Sequence, residues 1–261
     1  MRIALGLEYD GASFCGWQSQ PGGCGVQDHL EAALTRFADA PIAVVAAGRT
    51  DAGVHAVGQV VHFDTDAART WEGWVRGPNA HLDRAVRVVW AQQVPDDFHA
   101  RFSARARAYR YLLADQPVAP AIGRTQVGWF HQRLDADAMQ TAAQVLVGEH
   151  DFSAFRDAQC QAKSPVRHLT EIGVRRQGEL IHITVQANAF LHHMVRNIVG
   201  CLVYVGAGRE PGSWVEAVLQ GRDRRLAAPT FAPEGLYLER VDYDPSLGLP
   251  AAPSHPLLSA P

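Results

Sequence analysis

Hydrophobic and polar residues alternate over residues 2–8, which is the pattern of a β-strand with one buried face. A glycine-rich loop over residues 11–25 follows. Apolar residues then return at helical spacing over residues 26–38. The remaining elements predicted for the first half are strands over 42–47 and 57–63, a short helix over 71–75 and a strand over 85–94.

The second half of the chain has the same order of elements. The pattern predicts a strand over 108–114, a helix over 135–147, strands over 169–176 and 180–187, a helix over 190–205 and a last strand over 235–243. Each half is therefore βαββαβ, the split βαβ order of ferredoxin-like folds. We predict an α+β protein whose two ferredoxin-like halves share a mostly antiparallel sheet and leave a cleft between them. The predicted boundaries are 1–105 for the first half, 106–245 for the second, and a loosely ordered Pro/Ala/Ser-rich tail over 246–261.

Composition is that of an ordinary globular protein, with 47% hydrophobic and 20% charged residues in 261. No apolar run approaches the roughly 18 residues that cross a bilayer. The N-terminus reaches Glu8 before the core of a signal peptide could form. We therefore expect a cytoplasmic protein with no membrane partner.

Cysteines and histidines give no support for a disulfide framework or a metal site. The four cysteines are widely spread and form no CxxC pair. His192 and His193 are adjacent, and neighbours on a helix point about 100° apart, which is poor geometry for chelation. We expect no metal and no cofactor.

The net charge of −3 is unusual for a protein that binds nucleic acid, but the basic residues are unevenly placed. Lys163 is the only lysine, so 23 of the 24 basic residues are arginines, which suit phosphates and base edges. Between Asp97 and Asp115 the chain has no acid but carries His99, Arg101, Arg105, Arg107 and Arg110. Such a patch can bind RNA on an acidic protein, because salt screens distant charges beyond about 10 Å.

The segment over residues 48–55 is the strongest candidate for chemistry. Asp51 lies between two glycines in a loop that leaves a strand, and Arg49 is close enough to keep its carboxylate ionised. An ionised aspartate can attack a sugar carbon or remove a proton without a cofactor. The alternative is that Asp51 only forms an Asx-turn.

Two further segments could contact RNA. If residues 105–111 form a strand, Arg105, Arg107, Tyr109 and Tyr111 share one face, which could contact phosphate and stack on bases. The alternative is an edge strand with solvated arginines.

On the helix over 190–205, His193, Arg196, Asn197 and Gly200 share a polar face. Arg196 would need an anion such as Asp51 or a phosphate, unless it reaches water. Lys163 and Arg167, in a basic loop, are weaker candidates for phosphate contact.

Taken together, these segments resemble the tRNA pseudouridine synthase A family. The residues that carry the resemblance are 48–55, 98–111, 188–200 and 234–237, in the order and spacing of that family. It extends from about residue 3 to residue 243. The low lysine count is a departure that concerns affinity for RNA and not the reaction.

The resemblance implies a metal-free isomerase that converts uridine to pseudouridine at positions 38–40 of the tRNA anticodon stem-loop. It implies a homodimer whose two subunits grip one tRNA. Asp51 matches the catalytic aspartate, and Tyr109 the tyrosine that stacks on the target base and assists deprotonation at C5. Arg49 and Arg196 match arginines near that aspartate. Arg101, Arg105, Arg107, His193, Asn197, Lys163 and Arg167 are candidates for binding the tRNA.

Three other classes of function remain open from the residues alone. A non-catalytic RNA-binding module would share the βαββαβ halves, but it would not need the loop around Asp51. A glycosidase-like hydrolase would need a second acid with comparable surroundings. An inert homologue that only helps tRNA to fold would not need Asp51, Tyr109 and Arg196 together.

Overall fold

The computed structural model describes residues 1–251, 255 and 258, and contains ten strands and five α-helices within them. In chain order they are β1 (Arg2–Tyr9), α1 (Val26–Ala38), β2 (Val45–Ala46), β3 (His55–Asp64), α2 (Trp71–Asn79), β4 (Val86–Val94), β5 (Ala106–Asp115), β6 (Gly128–Phe130), α3 (Ala136–Ala143), β7 (Gly148–Asp151), β8 (Val166–Gln177), β9 (Leu180–Ala187), α4 (Met194–Gly206), α5 (Ser213–Gly221) and β10 (Leu236–Asp242). The chain divides into unit 1 (Met1–Arg105 and Tyr237–Pro261) and unit 2 (Ala106–Leu236).

Unit 1 has β1 at the centre of its sheet. Strand β1 pairs antiparallel with both β3 and β4, so β3 and β4 run in the same direction on either side of it. Helix α2 connects β3 to β4, which gives the predicted split βαβ arrangement. Strand β2 pairs antiparallel with β3, and β10 pairs parallel with β3.

The core of unit 1 lies between this sheet and its two helices. Helix α1 buries Leu30 and Leu34, which is the apolar stripe predicted from its spacing. Trp74 of α2 is fully buried, and its ring packs 5.2 Å from the ring of Phe37 and 5.3 Å from that of Phe63. Aromatic packing therefore fastens both helices to the sheet that carries the loop around Asp51.

Unit 2 repeats the antiparallel order of strands. Strand β5 pairs with β9, β9 with β8 and β8 with β7, all antiparallel, and the short β6 adds to β5 in parallel. Helices α3 and α4 pack together, and Met139 meets α4 at Gly206, where a Cβ would lie 2.7 Å from the Met139 sulfur. The α+β class and the mostly antiparallel pairing are confirmed.

The structure adds detail on the last strand and on the tail. Strand β10 was expected to complete the second half, but its residues Tyr237 and Leu238 pair with β3 of unit 1. The tail was expected to be loosely ordered over 246–261. Within its described residues, Leu258 is buried and His255 lies 3.7 Å from Glu8 of β1, while residues 252–254, 256–257 and 259–261 lie outside the described part.

A buried ion pair anchors the end of β5. The side chain of Asp115 has 0% exposure and accepts hydrogen bonds from both terminal nitrogens of Arg176, at 2.9 and 2.6 Å, and from the Leu134 N–H at 2.8 Å. Burial alone would raise the pKa of the Asp115 carboxyl, but Arg176 and Leu134 outweigh it and hold that pKa below its usual value. The pair links β5 to β8 and to the segment before α3.

Candidate active site

The loop between β2 and β3 presents Asp51 at the end of the unit 1 sheet. Asp51 is half-buried, and its carbonyl accepts a hydrogen bond from the Val54 N–H at 3.1 Å. The tight turn that this bond closes requires φ of +79° at Gly53, a conformation that favours glycine. The two residues flanking this turn, Asp51 and Val54, are thus fixed by backbone geometry.

Thr50 fixes the loop from beneath. Its side chain is buried, and its hydroxyl lies 2.8 Å from the hydroxyl of Tyr9, at the end of β1. Gln59 of β3 donates to the Gly48 carbonyl at 2.8 Å. Burial raises the pKa of Tyr9 to about 12, although hydrogen bonds to Thr50 and Gln59 oppose that rise. Tyr9 therefore stays neutral and supports the Asp51 loop as a hydrogen-bonding group.

The glycine-rich loop after β1 packs against the same segment. The Trp17 N–H donates to the Thr50 carbonyl at 2.9 Å, and the Trp17 ring is only 2% exposed and lies 6.0 Å from the ring of Tyr9. At Gly16, with φ of +98°, a Cβ would lie 2.9 Å from the Thr50 carbonyl oxygen. A side chain there would push the loop away, so glycine allows this close approach.

A disulfide closes the glycine-rich loop, contrary to the sequence prediction. Cys15 and Cys24 are bonded, with their Cα atoms 5.4 Å apart, and the Cys15 N–H donates to the Cys24 carbonyl at 3.0 Å. Their spacing of nine residues matches no recognised motif. It is the fold of the loop that brings the two cysteines together.

Reducing this disulfide should destabilise the protein. Closing a loop of this length reduces the entropy of the unfolded chain by an amount worth about 2–3 kcal/mol. We expect Cys15→Ser to unfold at lower urea concentration than the oxidised wild type, and to be insensitive to dithiothreitol. Cys160→Ser, which removes a free thiol, is the matched control. Equal urea midpoints for oxidised wild type and Cys15→Ser would contradict this prediction.

His55 follows the Asp51 loop, and its side chain helps to hold the loop in place. It is buried, it accepts the Gly11 N–H at Nδ1 (3.0 Å), and its ring stacks on that of Tyr237 at 4.7 Å. Gly11 must be glycine, since a Cβ there would meet the Val54 carbonyl at 2.0 Å. The end of the Asp51 loop is therefore held by backbone contacts and ring stacking.

Arg49 lies two residues before Asp51, and its side chain is exposed. Its predicted role beside the Asp51 carboxylate stays a prediction. An exposed guanidinium beside a candidate catalytic acid is available to a phosphate.

The basic segment before β5 has two exposed arginines in unit 1. Arg101 lies in a turn that ends near Ser103, and Arg105 forms an ion pair with Asp244 and donates its N–H to the Asp242 carbonyl at 2.8 Å. Asp244 neutralises much of the charge of Arg105. Both arginines are exposed and stay candidates for contact with RNA.

The predicted face of β5 is largely internal. Tyr111 is fully buried and donates its hydroxyl to the Ala232 carbonyl at 2.8 Å. Arg107 is buried and donates to the Asn188 carbonyl at 3.0 Å. Tyr109 is also buried, with its ring edge-to-face against Phe190 at 5.0 Å. Burial does not alternate along β5, because both of its faces are mostly covered. Contact of this strand with RNA stays a prediction.

Helix α4 begins later than predicted, because His193 breaks the helical backbone. His193 has φ of +61°, and its Nδ1 lies 2.9 Å from an Asp157 oxygen. Burial opposes ionisation of Asp157, but the Gln159 N–H and the imidazoles of His193 and His192 lower the pKa of its carboxyl below the usual value. An anionic Asp157 therefore orients His193 at the start of α4.

Arg196 and Asn197 have different surroundings although they are neighbours on α4. Arg196 is half-buried and donates its Nε–H to the Phe231 carbonyl at 2.8 Å. Asn197 is 0% exposed, donates to the Phe155 carbonyl and accepts from Arg224 and Thr230. The amide of Asn197 thus holds α4 to the loops around it, and contact of Asn197 with RNA stays a prediction.

The basic loop before β8 places its two candidates differently. Lys163 is exposed. Arg167 is half-buried and donates to the carbonyls of Ser164 and Val166, and burial lowers the pKa of its guanidinium. Of these two side chains, Lys163 is therefore the more accessible to a phosphate.

Sequence reasoning missed two residues that support the candidate site residues, namely Tyr9 and Asp157. An aromatic residue at the end of a strand, directly before a glycine-rich loop, was a usable signal for Tyr9. No local pattern links Asp157 to His193, because they are 36 residues apart in the chain.

Comparison with known proteins decides the family. The model of the tRNA pseudouridine synthase family matches residues 7–103 and 142–244, which is most of the chain and includes the Asp51 loop, Arg101 and α4. The chain belongs to the tRNA pseudouridine synthase family. It is 58% identical over 250 residues to tRNA pseudouridine synthase A of Paraburkholderia xenovorans, covering 96% of this chain and 93% of the relative. It is 59% identical over 252 residues to tRNA pseudouridine synthase A of Burkholderia thailandensis, covering 97% and 93%.

Membership of the tRNA pseudouridine synthase family confirms the predicted resemblance and the prediction of an isomerase over a binding module. Among the described residues of this pseudouridine synthase, no helix is long and apolar enough to cross a membrane.

Proposed function

We propose that this protein isomerises uridine to pseudouridine at positions 38, 39 and 40 of the tRNA anticodon stem-loop. The observation that carries the proposal is the anchored Asp51 loop within a chain that matches tRNA pseudouridine synthase A over nearly its whole length. The loop holds one acid by backbone geometry and a buried threonine, and such rigidity suits a residue that must meet a sugar carbon in one orientation.

Asp51 is the proposed catalytic acid. The target uridine leaves the RNA helix, at a cost of a few kcal/mol of unstacking. Asp51 then triggers cleavage of the bond between N1 and C1′, either by attack on carbon or by removal of the 2′ proton. The freed uracil turns, C5 bonds to C1′, and Asp51 returns to its starting state. The proton on C5 is lost to solvent, and N1 takes up a proton in exchange. The reaction is an isomerisation and needs no cofactor or metal.

Other residues have supporting roles in this proposal. Tyr109 stacks on the target base and assists removal of the C5 proton. Arg49 and Arg196 lie near the RNA backbone or the reacting sugar, and Arg101 and Lys163, both exposed, contact phosphates. His193, held by Asp157, serves the same site. A cytoplasmic homodimer that grips one tRNA is the proposed working form.

The test measures release of tritium from tRNA transcripts labelled at uracil C5. We expect release from a transcript with uridines at 38–40, and none when all three are replaced by cytidine. A transcript with an equal number of uridines replaced outside the stem-loop is the control and should react normally. Release that persists after replacement would place the target elsewhere in tRNA. No release from any transcript would favour a non-catalytic RNA-binding or tRNA-folding protein.

A further inference from the structure

Phe102 is the most exposed aromatic side chain in the described part of the chain. Its side chain is 75% exposed, whereas the next two exposed aromatics, Trp71 and Trp129, are 41% and 38% exposed. It lies in unit 1, between the exposed Arg101 and Ser103, in the turn that precedes β5. An aromatic ring exposed to this degree contributes little to the stability of the fold, because apolar surface stabilises a protein only when it is buried.

The ring of Phe102 is held in a stack. The His99 ring lies 4.3 Å from it at an interplanar angle of 30°, and the Arg101 guanidinium lies 5.6 Å from its centroid. The two faces make up most of the surface of a phenyl ring. Exposure of 75% therefore means that the face away from His99 is largely open. The arrangement is an aromatic stack that remains 75% exposed, with the guanidinium of Arg101 over the ring of Phe102.

The turn beneath the ring is rigid. The His99 N–H donates to the Ser103 hydroxyl at 2.9 Å, and the Ser103 N–H donates back to the His99 carbonyl at 2.8 Å. The Nδ1 of His99 accepts from the N–H groups of Arg101 and Phe102, each at 3.2 Å. The position of the Phe102 backbone is thus set before any ligand binds.

Side chains from other strands fix the same turn from below. Arg2 of β1 donates to the Phe98 carbonyl at 2.8 Å, and Tyr243 donates to the Ala100 carbonyl at 2.7 Å. Burial lowers the pKa of His62 to about 4, so its Nδ1 stays unprotonated and accepts the Ala100 N–H at 3.1 Å. Because these hydrogen bonds fix the backbone that carries Phe102, little further entropy is lost when a ligand stacks on its ring.

We propose that the open face of Phe102 is a stacking platform for an unpaired base of the tRNA substrate, with Arg101 binding the neighbouring phosphate. The inference rests on the proposed function, since it takes tRNA as the ligand. Single-stranded bases stack on aromatic rings, and arginine beside the ring meets the phosphate of the same strand. The platform positions RNA and takes no part in the chemistry.

A second copy of this chain fits the patch less well. A stable interface between proteins buries at least about 1,000 Å² with an apolar centre. Phe102 is one ring, and an aromatic side chain buries about 150–250 Å². It is flanked by the guanidinium of Arg101 and the imidazole of His99. A single base covers an area of this size.

The experiment compares Phe102→Ala, Phe102→Leu and Phe102→Trp with wild type, using a full-length tRNA transcript. The KM and kcat of each variant are measured from tritium release. The Kd is measured with double variants that also carry Asp51→Asn, so that the tRNA is bound but not converted. Because stacking on one aromatic ring contributes about a tenfold or greater gain in affinity, we expect Ala and Leu to raise Kd and KM about tenfold. The kcat should change less than about twofold in all three variants. Phe102→Trp, which keeps an aromatic ring, should have a Kd near the wild-type value.

The matched control is Ile122→Ala, which removes an apolar side chain that is 96% exposed in unit 2. It should leave Kd and KM unchanged. Wild-type Kd and KM for Phe102→Ala would overturn the platform, as would full rescue by Leu, which lacks an aromatic face. A loss of subunit association in Phe102→Ala, measured by light scattering, would assign the ring to a contact between copies. If wild type released no tritium, the proposed function would fail, and the Kd series would still decide whether Phe102 stacks on RNA.

Discussion

Replacing Asp51 by asparagine is expected to abolish tritium release from C5-labelled tRNA, with kcat reduced on the order of 10⁴-fold. Loss of a residue that attacks or deprotonates the substrate has effects of this size in other enzymes. Asparagine has nearly the same shape, and the loop is held by Thr50, Tyr9 and Gly53 rather than by the Asp51 side chain alone. The fold and the affinity for tRNA should therefore survive.

Three measurements keep this prediction specific. The Asp51→Asn variant should bind tRNA with a Kd within about twofold of wild type and unfold at the same urea concentration. Asp66→Asn, which changes an exposed acid of the same unit, should release tritium normally. Equal release by Asp51→Asn and wild type would keep the reaction but remove Asp51 from its mechanism.

Replacing Asp115 by alanine should give the largest loss of stability, about 3–5 kcal/mol in the free energy of unfolding. Removing one member of a buried ion pair leaves the other charge without compensation. Here the guanidinium of Arg176 would lose both of its carboxylate contacts, and the Leu134 N–H would lose its acceptor. Urea unfolding followed by circular dichroism measures the change.

The control for Asp115 is Asp223→Ala, which removes a surface ion pair with Arg225 and the capping hydrogen bond from the Arg225 N–H, and which should lower the free energy of unfolding far less than Asp115→Ala does. The pKa of the Asp115 carboxyl is depressed in the folded state, so its contribution is present above the unfolded pKa of about 3.9. It is lost as pH falls through the folded pKa. The difference in stability between wild type and Asp115→Ala should therefore shrink in acid. A difference that grows in acid would show that the ion pair is not its source.

Local patterns predicted those elements whose own residues determine them. Helix α1 and strand β9 occur at the predicted residues, because each buries a regular apolar stripe. Helix α4 starts at Met194 and not at residue 190, because His193 adopts a left-handed backbone that periodicity cannot reveal. The pairing of β10 with β3 depends on strands about 180 residues apart, and no local pattern specifies such a partner.

The candidate site divides in the same way. Asp51 was found because glycines and an arginine surround it within one short segment. The partners of Asn197 could not be predicted, because Arg224 and Thr230, which donate to its side chain, come from a later segment of the chain. The Cys15–Cys24 disulfide was missed because its geometry exists only once the glycine-rich loop has folded.

The left-handed backbone of His193 matters for anyone who would engineer this enzyme. An L-residue there costs on the order of 1 kcal/mol relative to glycine, so a search for stabilising substitutions would select His193→Gly. That change would discard the imidazole that Asp157 orients. Thermostabilised versions of this protein should therefore be designed with His193 unchanged, because relieving the backbone strain there would remove the imidazole.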